Sequence, residues 1–178
     1  MPPSRKVVAC ACLLLACVLA CAAQGGGVKR GERERPRLSG TWSLDKSKSD
    51  FGPFKDSEAA RADVTLEVVH SEPEVKITRR AKTNGREQVQ ELAYYTDGRG
   101  ELNPATLGRV GVKSNTKWDG NKLVARSTVT RNTPGGVVSI DTWERWQLSS
   151  DGRTLTYTVS INSPLGTQSI KQVFTKLS

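Results

Sequence analysis

Residues 137–161 contain two runs of alternating apolar and polar side chains, separated by a short polar turn. One face carries Val138, Ile140, Thr142, Glu144, Trp146 and Leu148 in the first run, and Leu155, Tyr157, Val159 and Ile161 in the second. A period of two is that of a β-strand with one buried face. Gly152 can take the left-handed conformation that a short hairpin needs. The stretch therefore predicts a half-buried antiparallel pair of strands.

Similar runs recur from Leu38 to the end of the chain, and short turns such as Asn84-Gly85 separate them. We count nine strands and predict that residues 101–108 are a connection. Residues 46–62 are predicted to form a loop with one helical turn, which Ser57 caps. Because each strand is expected to pair with its sequence neighbour, the pattern predicts an all-β fold: a single antiparallel up-and-down barrel of about eight to nine strands.

The N-terminus has the pattern of a secretory signal peptide. Arg5 and Lys6 precede an uncharged apolar run of about 14 residues, shorter than the roughly 20 that span a bilayer. We predict that residues 1–23 are this signal and that residues 24–37, rich in glycine and charge, are a flexible tether. Residues 38–178 are left as the folded domain.

All four cysteines lie in or at the end of the predicted signal, so the mature domain has no disulfide and no thiolate metal site. Val18-Leu19-Ala20-Cys21 resembles the lipobox of bacterial lipoproteins, in which the cysteine is lipidated. Plain secretion, with cleavage after Ala22 or Ala23, is the alternative. The expected location is therefore the periplasm or the outer membrane through a lipid anchor, or else the secreted fraction.

The formal charge of +9 is spread along the chain. The predicted tether has five basic residues against two glutamates, and residues 38–178 have 20 basic against 16 acidic residues. A nucleic-acid interface would group basic and aromatic side chains on one face, whereas here the basic residues are scattered among acids along the sequence. We therefore predict no nucleic-acid partner, and membrane contact only through the lipid anchor.

Three motifs resemble a known family. Gly40-Thr41-Trp42 in the first strand resembles the Gly-x-Trp signature of lipocalins, although avidin-like barrels open in a similar way. Trp118-Asp119-Gly120-Asn121-Lys122-Leu123 and residues 144–156 resemble the lipocalin-like, calycin-type small barrels of the bacterial envelope. The lipocalin Thr-Asp-Tyr motif is absent, and the late-strand arginine that packs on the first tryptophan cannot be placed. The resemblance implies a lipocalin-like barrel over residues 38–178.

Polar side chains on the predicted inner faces mark a candidate binding site. They are Arg79, Ser114, Thr116 and Glu144, with the aromatic residues Trp146 and Tyr157 nearby in the pattern. A barrel of about eight strands is filled by side chains or holds one small ligand. Buried charge is costly unless it is paired. Either these residues line a cavity for an amphipathic ligand, or Arg79 and Glu144 are solvated at the rim or satisfy each other.

Two further residues bear on chemistry. His70 is the only histidine, so a His/Cys zinc site cannot be assembled and a Ser-His-Asp triad would depend on this residue alone. We predict that His70 lies on the surface, and we predict no metal, no cofactor and no catalysis. Trp143 faces opposite to Trp146 and is either an exposed contact for a sugar or protein, or packed against the loop around Phe51.

The sequence therefore predicts an exported, non-catalytic barrel that binds a small hydrophobic or amphipathic molecule in its interior. Two alternatives remain open: a filled barrel that serves as a structural or protein-interaction module of the envelope, and a small hydrolase or isomerase that acts within the cavity. An open cavity would favour binding over the filled module. The sequence indicates no oligomeric state.

Overall fold

The computed structural model describes residues 35–104 and 111–177, which form ten antiparallel strands. The strands are β1 Gly40–Leu44, β2 Asp63–Ser71, β3 Glu74–Thr83, β4 Arg86–Tyr95, β5 Glu101–Pro104, β6 Gly111–Asp119, β7 Lys122–Thr133, β8 Gly136–Leu148, β9 Thr154–Ser163 and β10 Gly166–Lys176. Their order is β4-β3-β2-β1-β10-β9-β8-β7-β6-β5, so β1 pairs with β10 and every other pair joins sequence neighbours. The predicted all-β, up-and-down barrel is confirmed, but the count of eight to nine strands is wrong.

The missing strand is β5, which lies where the sequence predicts a connection. Its side chains reverse the usual pattern, because Glu101 and Asn103 are buried whereas Leu102 is 67% exposed. Periodicity identifies a half-buried strand by apolar residues on the inner face. A strand with polar inner residues, ending at Pro104, gives no such signal.

Side chains bridge β4 and β5, which form no backbone ladder in the described residues. The Asn103 amide donates to the Ala93 carbonyl oxygen at 2.8 Å and accepts from the Ala93 N–H at 2.9 Å. Glu101 Oε2 accepts from the Tyr95 N–H at 3.2 Å. We call this junction the seam. Asn103 replaces there the two hydrogen bonds that a neighbouring backbone would make.

The hairpin over residues 137–161 has the predicted faces. Trp146 lies opposite Tyr157 and Glu144 lies opposite Val159 in the register of β8 and β9. Gly152 has φ 69° in the turn between them, the left-handed conformation that favours glycine.

The core contains inward-facing residues from both halves of the barrel, including Leu66, Ile77, Leu155 and Phe174. Trp42 is fully buried and its indole N–H donates to the Leu38 carbonyl oxygen at 3.2 Å. The Lys176 ammonium lies 5.4 Å from the Trp42 ring centroid. A lysine on the last strand therefore packs on the first-strand tryptophan, where the lipocalin resemblance implies an arginine.

Residues 45–62, which we call the cap segment, join β1 to β2 across one end of the barrel. They contain 3-10 helices at Lys46–Lys48 and Gly52–Phe54 and the helix α1 at Glu58–Arg61, which Ser57 caps as predicted. Asp50 and Lys171 exchange two backbone hydrogen bonds of 2.7 Å, which fasten the segment to β10. A Cβ at Gly52 would meet the Ser169 carbonyl oxygen at 2.6 Å, so this close approach requires glycine.

At the other end of the barrel, Glu72 binds several elements together. It accepts hydrogen bonds from the Trp118 indole at 2.6 Å and from Thr96, and it pairs with Arg35 at 3.1 Å. Burial acts to raise the pKa of Glu72, but these hydrogen bonds, the one from His70 and the Arg35 charge hold the pKa below its ordinary value.

The expectation that His70 is a surface residue is wrong. Its side chain is only 4% exposed, because residues 35–39 fold over it. The Leu38 N–H donates to Nδ1 at 3.3 Å, which leaves Nε2 to donate to Glu72 at 3.2 Å. Residues 35–39 belong to this end of the barrel, although 35–37 were predicted to be tether.

The predicted signal peptide, Cys21 and most of the tether lie outside the described residues. In residues 35–104 and 111–177, no helix has the length and apolar character needed to cross a membrane.

The seam generates a stability prediction. Asn103→Ala should lower the free energy of unfolding by about 2–4 kcal/mol, because it leaves two backbone groups of Ala93 without partners. Urea denaturation measures this loss. Asn115→Ala is the matched control, since its amide makes one exposed hydrogen bond to Gly98 and should cost no more than about 0.5 kcal/mol. Equal losses in both variants would contradict the role given to the seam.

Candidate functional site

The barrel contains a cavity of about 170 Å³ beneath the cap segment. The cap segment contributes Phe51, Phe54, Ser57 and Ala59, and the strands contribute Leu66, Arg79, Gln90, Leu92, Tyr94, Pro104, Glu144, Trp146, Tyr157, Val159, Ile170, Gln172 and Phe174. A single water needs roughly 10–15 Å³ of such space, so the cavity is large enough for more than isolated waters.

The side chains divide the cavity into an apolar part and a polar part. Leu66, Val159 and Phe174 are fully or almost fully buried strand residues, and Phe51 and Phe54 add aromatic surface from the cap segment. The polar members come mainly from β3, β4 and β8. An amphipathic molecule matches this division, because its apolar body would contact the apolar part and its polar group would contact the polar part.

Arg79 is the cation of the polar part. Its side chain is largely buried, and its Nη1 donates a long hydrogen bond of 3.5 Å to Gln90 Oε1. Burial lowers the pKa of Arg79 from its ordinary value, and the nearby Tyr157 partly offsets this effect. No carboxylate of the described residues pairs with Arg79. A guanidinium remains charged in this setting, so it favours an anion beside it.

Tyr94 and Glu144 connect opposite sides of the barrel. The Tyr94 hydroxyl donates to Glu144 Oε2 at 2.8 Å, from β4 to β8. Complete burial raises the pKa of Tyr94 well above its ordinary 10.0, and the negative charge of Glu144 raises it further. The phenol therefore stays protonated and keeps the Glu144 carboxylate hydrogen bonded.

Trp146 lies between two tyrosines and carries a buried donor. Its ring stacks on Tyr157 with centroids 4.1 Å apart, and meets Tyr94 edge-on at 6.4 Å. Among the described residues, the Trp146 Nε1–H has no hydrogen-bond acceptor. A buried donor without a partner costs about 1–3 kcal/mol, so a ligand oxygen that reached it would recover part of this cost.

The structure brings four of the six candidate residues to the cavity: Arg79, Glu144, Trp146 and Tyr157. Ser114 and Thr116 are not among its lining residues. They face inwards as the alternation predicts, but their hydroxyls donate to Glu101 Oε1 at 2.6 and 2.7 Å, beside the seam. Ligand binding by any of the six remains a prediction.

His70 lies outside the cavity lining, and its ring nitrogens bind Leu38 and Glu72 rather than a serine hydroxyl. Across the described part of the chain, no three His, Cys, Asp or Glu side chains group in a way that would hold a metal ion.

Sequence reasoning missed Gln90, Tyr94 and Gln172 as cavity residues. The face of β4 is ambiguous by periodicity, because apolar residues occur in both registers. The turn Asn84-Gly85 contains the missing signal. A two-residue turn fixes the register, and counting five residues outwards from it places Gln90 opposite Arg79, as observed.

Known proteins are similar to this chain in structure and not in sequence. No family model matches, and neither does any curated protein. A zebrafish ileal bile acid-binding protein complexed with cholic acid has a TM-score of 0.56 and 15% identity, over 79% of this chain and 98% of that one. A fatty acid transporter named REP1-NXSQ has a TM-score of 0.54 and 14% identity, over 79% and 96%. A fatty acid-binding protein from the brain of Drosophila melanogaster has a TM-score of 0.51 and 18% identity, over 78% and 99%.

This chain has the fold of those barrels. At such low identity the likeness concerns the fold alone, and it extends over nearly the whole length of each similar structure. The predicted small antiparallel β-barrel is confirmed at the level of the fold. The finer expectation of a lipocalin-like barrel is corrected, because the described residues form ten strands with the seam between β4 and β5.

The raised pKa of Tyr94 generates a prediction about alkaline pH. Below pH 10.0 the buried phenol contributes to stability, and this contribution declines as rising pH ionises the phenol in the unfolded chain. The folded wild type and Tyr94→Phe should therefore contain equal tyrosinate just above pH 10.0, as measured by ultraviolet absorbance. In urea, the wild type should contain more, since Tyr94 is one of three tyrosines. Extra tyrosinate in the folded wild type would contradict the protonated assignment.

Proposed function

We propose that the protein is a non-catalytic carrier that binds a small amphipathic anion inside the barrel, with the anionic group beside Arg79. The observation that carries this proposal is a largely buried guanidinium that lines an apolar cavity and has no carboxylate partner among the described residues. Burying a cation without an anion is costly. A ligand carboxylate at Arg79 would remove this cost with charge-assisted hydrogen bonds.

The cavity also limits the apolar part of the ligand. An apolar cavity of about 150 Å³ accommodates a benzene-sized molecule, and the volume here is about 170 Å³. The ligand therefore has a compact ring or a short aliphatic segment in contact with residues such as Leu66, Val159 and Phe174. A second polar atom of the ligand would find the unsatisfied Trp146 donor.

The similar structures support an acid as the ligand class. Their names mention fatty acids and bile acids, and one of them is complexed with cholic acid. The agreement between these names and the position of Arg79 supports the same chemical class here. A filled barrel that acts only as an interaction module is less consistent with an interior cavity and an unpaired internal cation.

We also propose that the carrier is exported. It is either anchored in the envelope through a lipid on Cys21 or, without lipidation, secreted. The support is the signal-like run before Val18-Leu19-Ala20-Cys21.

The ligand prediction is tested with a small fluorescent aromatic carboxylic acid, of a size that the cavity can hold, and its methyl ester. Arg79→Gln should weaken binding of the acid about 10- to 100-fold, the range expected for losing a hydrogen bond to a charged group. Binding of the ester should change little, because the ester carries no charge. Titration by fluorescence measures both affinities, and native mass spectrometry of the purified protein should show a co-purified acidic molecule.

Arg80→Gln is the matched control, since Arg80 is the next residue along β3, is exposed and lies outside the cavity lining. It should bind the acid as the wild type does. Equal affinity for acid and ester in the wild type would show that Arg79 does not select an anion. If neither probe binds and no adduct copurifies, the filled interaction module is favoured instead.

The anchor prediction is tested in a bacterial host by metabolic labelling with radioactive palmitate. The wild type should be labelled and should partition into the membrane fraction, whereas Cys21→Ser should be unlabelled and soluble. Cys17→Ser is the control, because Leu14-Leu15-Ala16-Cys17 is a second match to the lipobox. If Cys21 carries the lipid, this variant should be labelled like the wild type. An unlabelled wild type would indicate plain secretion.

A further inference from the structure

The register of the strands separates charges that are mixed along the sequence. The outer face of β6, β7 and β8 carries five basic side chains against two acidic ones, Asp119 and Asp141, among the residues that the structure describes. The basic members are Lys113, Lys117, Lys122, Arg126 and Arg145. The outer face of β2, β3 and β4 has three basic side chains, Lys76, Arg80 and Lys82, against five acidic ones, Asp63, Glu67, Glu74, Glu87 and Glu91. We call the first surface the basic wall.

The charges of the basic wall are close enough to act together. Lys117 lies in register with Val124 and Val124 with Arg145, so Lys117 and Arg145 lie two strands apart in one row. Two strand spacings are about 10 Å, which is about the screening length at 0.1 M salt. No ion pair among the described residues involves any of the five basic side chains, whereas Lys76 on the opposite face pairs with Glu74.

Exposed apolar side chains lie among these charges. Trp143 is 39% exposed beside Arg126, whose guanidinium lies 6.0 Å from the ring centroid. Leu102 is opposite Lys113 in the β5–β6 register and projects into solvent. Trp143 therefore faces outwards from the barrel, on β8 between β7 and β9.

We propose that the basic wall docks on the surface of an anionic lipid bilayer. Basic side chains are attracted to anionic headgroups, and tryptophan and leucine gain by entering the interfacial layer. β6, β7 and β8 each have a paired strand on both sides, so the basic wall offers no free strand edge to an extended chain. A soluble polyanion would use the charges but would leave Trp143 and Leu102 without a favourable apolar partner. The proposal concerns a different surface from the cavity and goes beyond membrane contact through a lipid anchor.

The test uses the full chain with Cys17→Ser and Cys21→Ser, so that neither lipobox cysteine can carry a lipid anchor. The vesicles are phosphatidylcholine with or without an equal part of phosphatidylglycerol. Sedimentation measures partitioning. We expect binding to the mixed vesicles that salt weakens. Arg126→Gln combined with Arg145→Gln should lower partitioning about 25-fold, at roughly five-fold for each basic side chain near an anionic surface.

The matched control combines Arg80→Gln and Lys82→Gln, which removes the same charge from exposed positions on the opposite face. It should retain most of the binding. If both double variants lose binding equally, net charge and the basic tether account for it and the basic wall is overturned as the docking surface. Unchanged unfolding midpoints in urea confirm that all variants are folded.

Trp143→Ser distinguishes a bilayer from a soluble polyanion. It should weaken partitioning into mixed vesicles several-fold while leaving retention on a heparin column unchanged. Vesicle binding that is indifferent to Trp143→Ser, with strong heparin retention that requires Arg126 and Arg145, would overturn the bilayer in favour of an anionic polymer. The Arg126/Arg145 variant should still bind the fluorescent acid. A negative result for vesicle binding by the basic wall therefore leaves the proposal of ligand binding in the cavity intact.

Discussion

The barrel depends on a junction where backbone pairing is replaced by side chains. Between β4 and β5, the Asn103 amide and the Glu101 carboxylate supply hydrogen bonds that the strand ladder does not. Ser114 and Thr116 in turn satisfy the second oxygen of Glu101. The cavity is lined from both sides of this junction, by Leu92 and Tyr94 on β4 and by Pro104 on β5. A small polar network thus keeps an apolar interior enclosed. This explains why Glu101 and Asn103 occupy inner positions on β5, the shortest of the described strands.

Most of the fold could be predicted from the sequence, because nine of the ten strands bury apolar or mixed faces and are joined by short turns. Alternation also placed Arg79 and Glu144 on inner faces correctly. Glu101 could not be found in this way, since its burial depends on partners that are distant along the chain. Ser114 and Thr116 were correctly predicted to face inwards. They were assigned to the binding site because their hydrogen-bond partner, Glu101, lies in the strand that was not predicted. His70 was misjudged for a related reason: residues 35–39 cover it, and no periodic pattern indicates where such a segment docks.

The charge distribution shows a different limit of sequence reasoning. Along the chain, basic and acidic residues alternate without grouping, which led to the expectation of no grouped basic face. In the barrel, Lys117 and Arg145 become neighbours across β7, while Lys82 lies opposite both Asp63 and Glu87. Cross-strand neighbours are determined by register, and register depends on all turns between them. The basic wall is therefore a property of the assembled sheet and appears only once every strand has been placed.

Because side chains alternate along a strand, consecutive residues of β8 lie on two different surfaces of the barrel. Glu144 and Trp146 face the cavity, whereas Trp143 and Arg145 face outwards on the basic wall. Substitutions at one pair need not alter the other, since the side chains lie on opposite sides of the sheet. The cap segment covers the end of the barrel and the wall lies along its side, so a bilayer against the wall would leave the cap segment accessible. If both proposals hold, the protein binds its ligand inside the barrel while its side rests on the membrane, and the two activities can be separated by mutation.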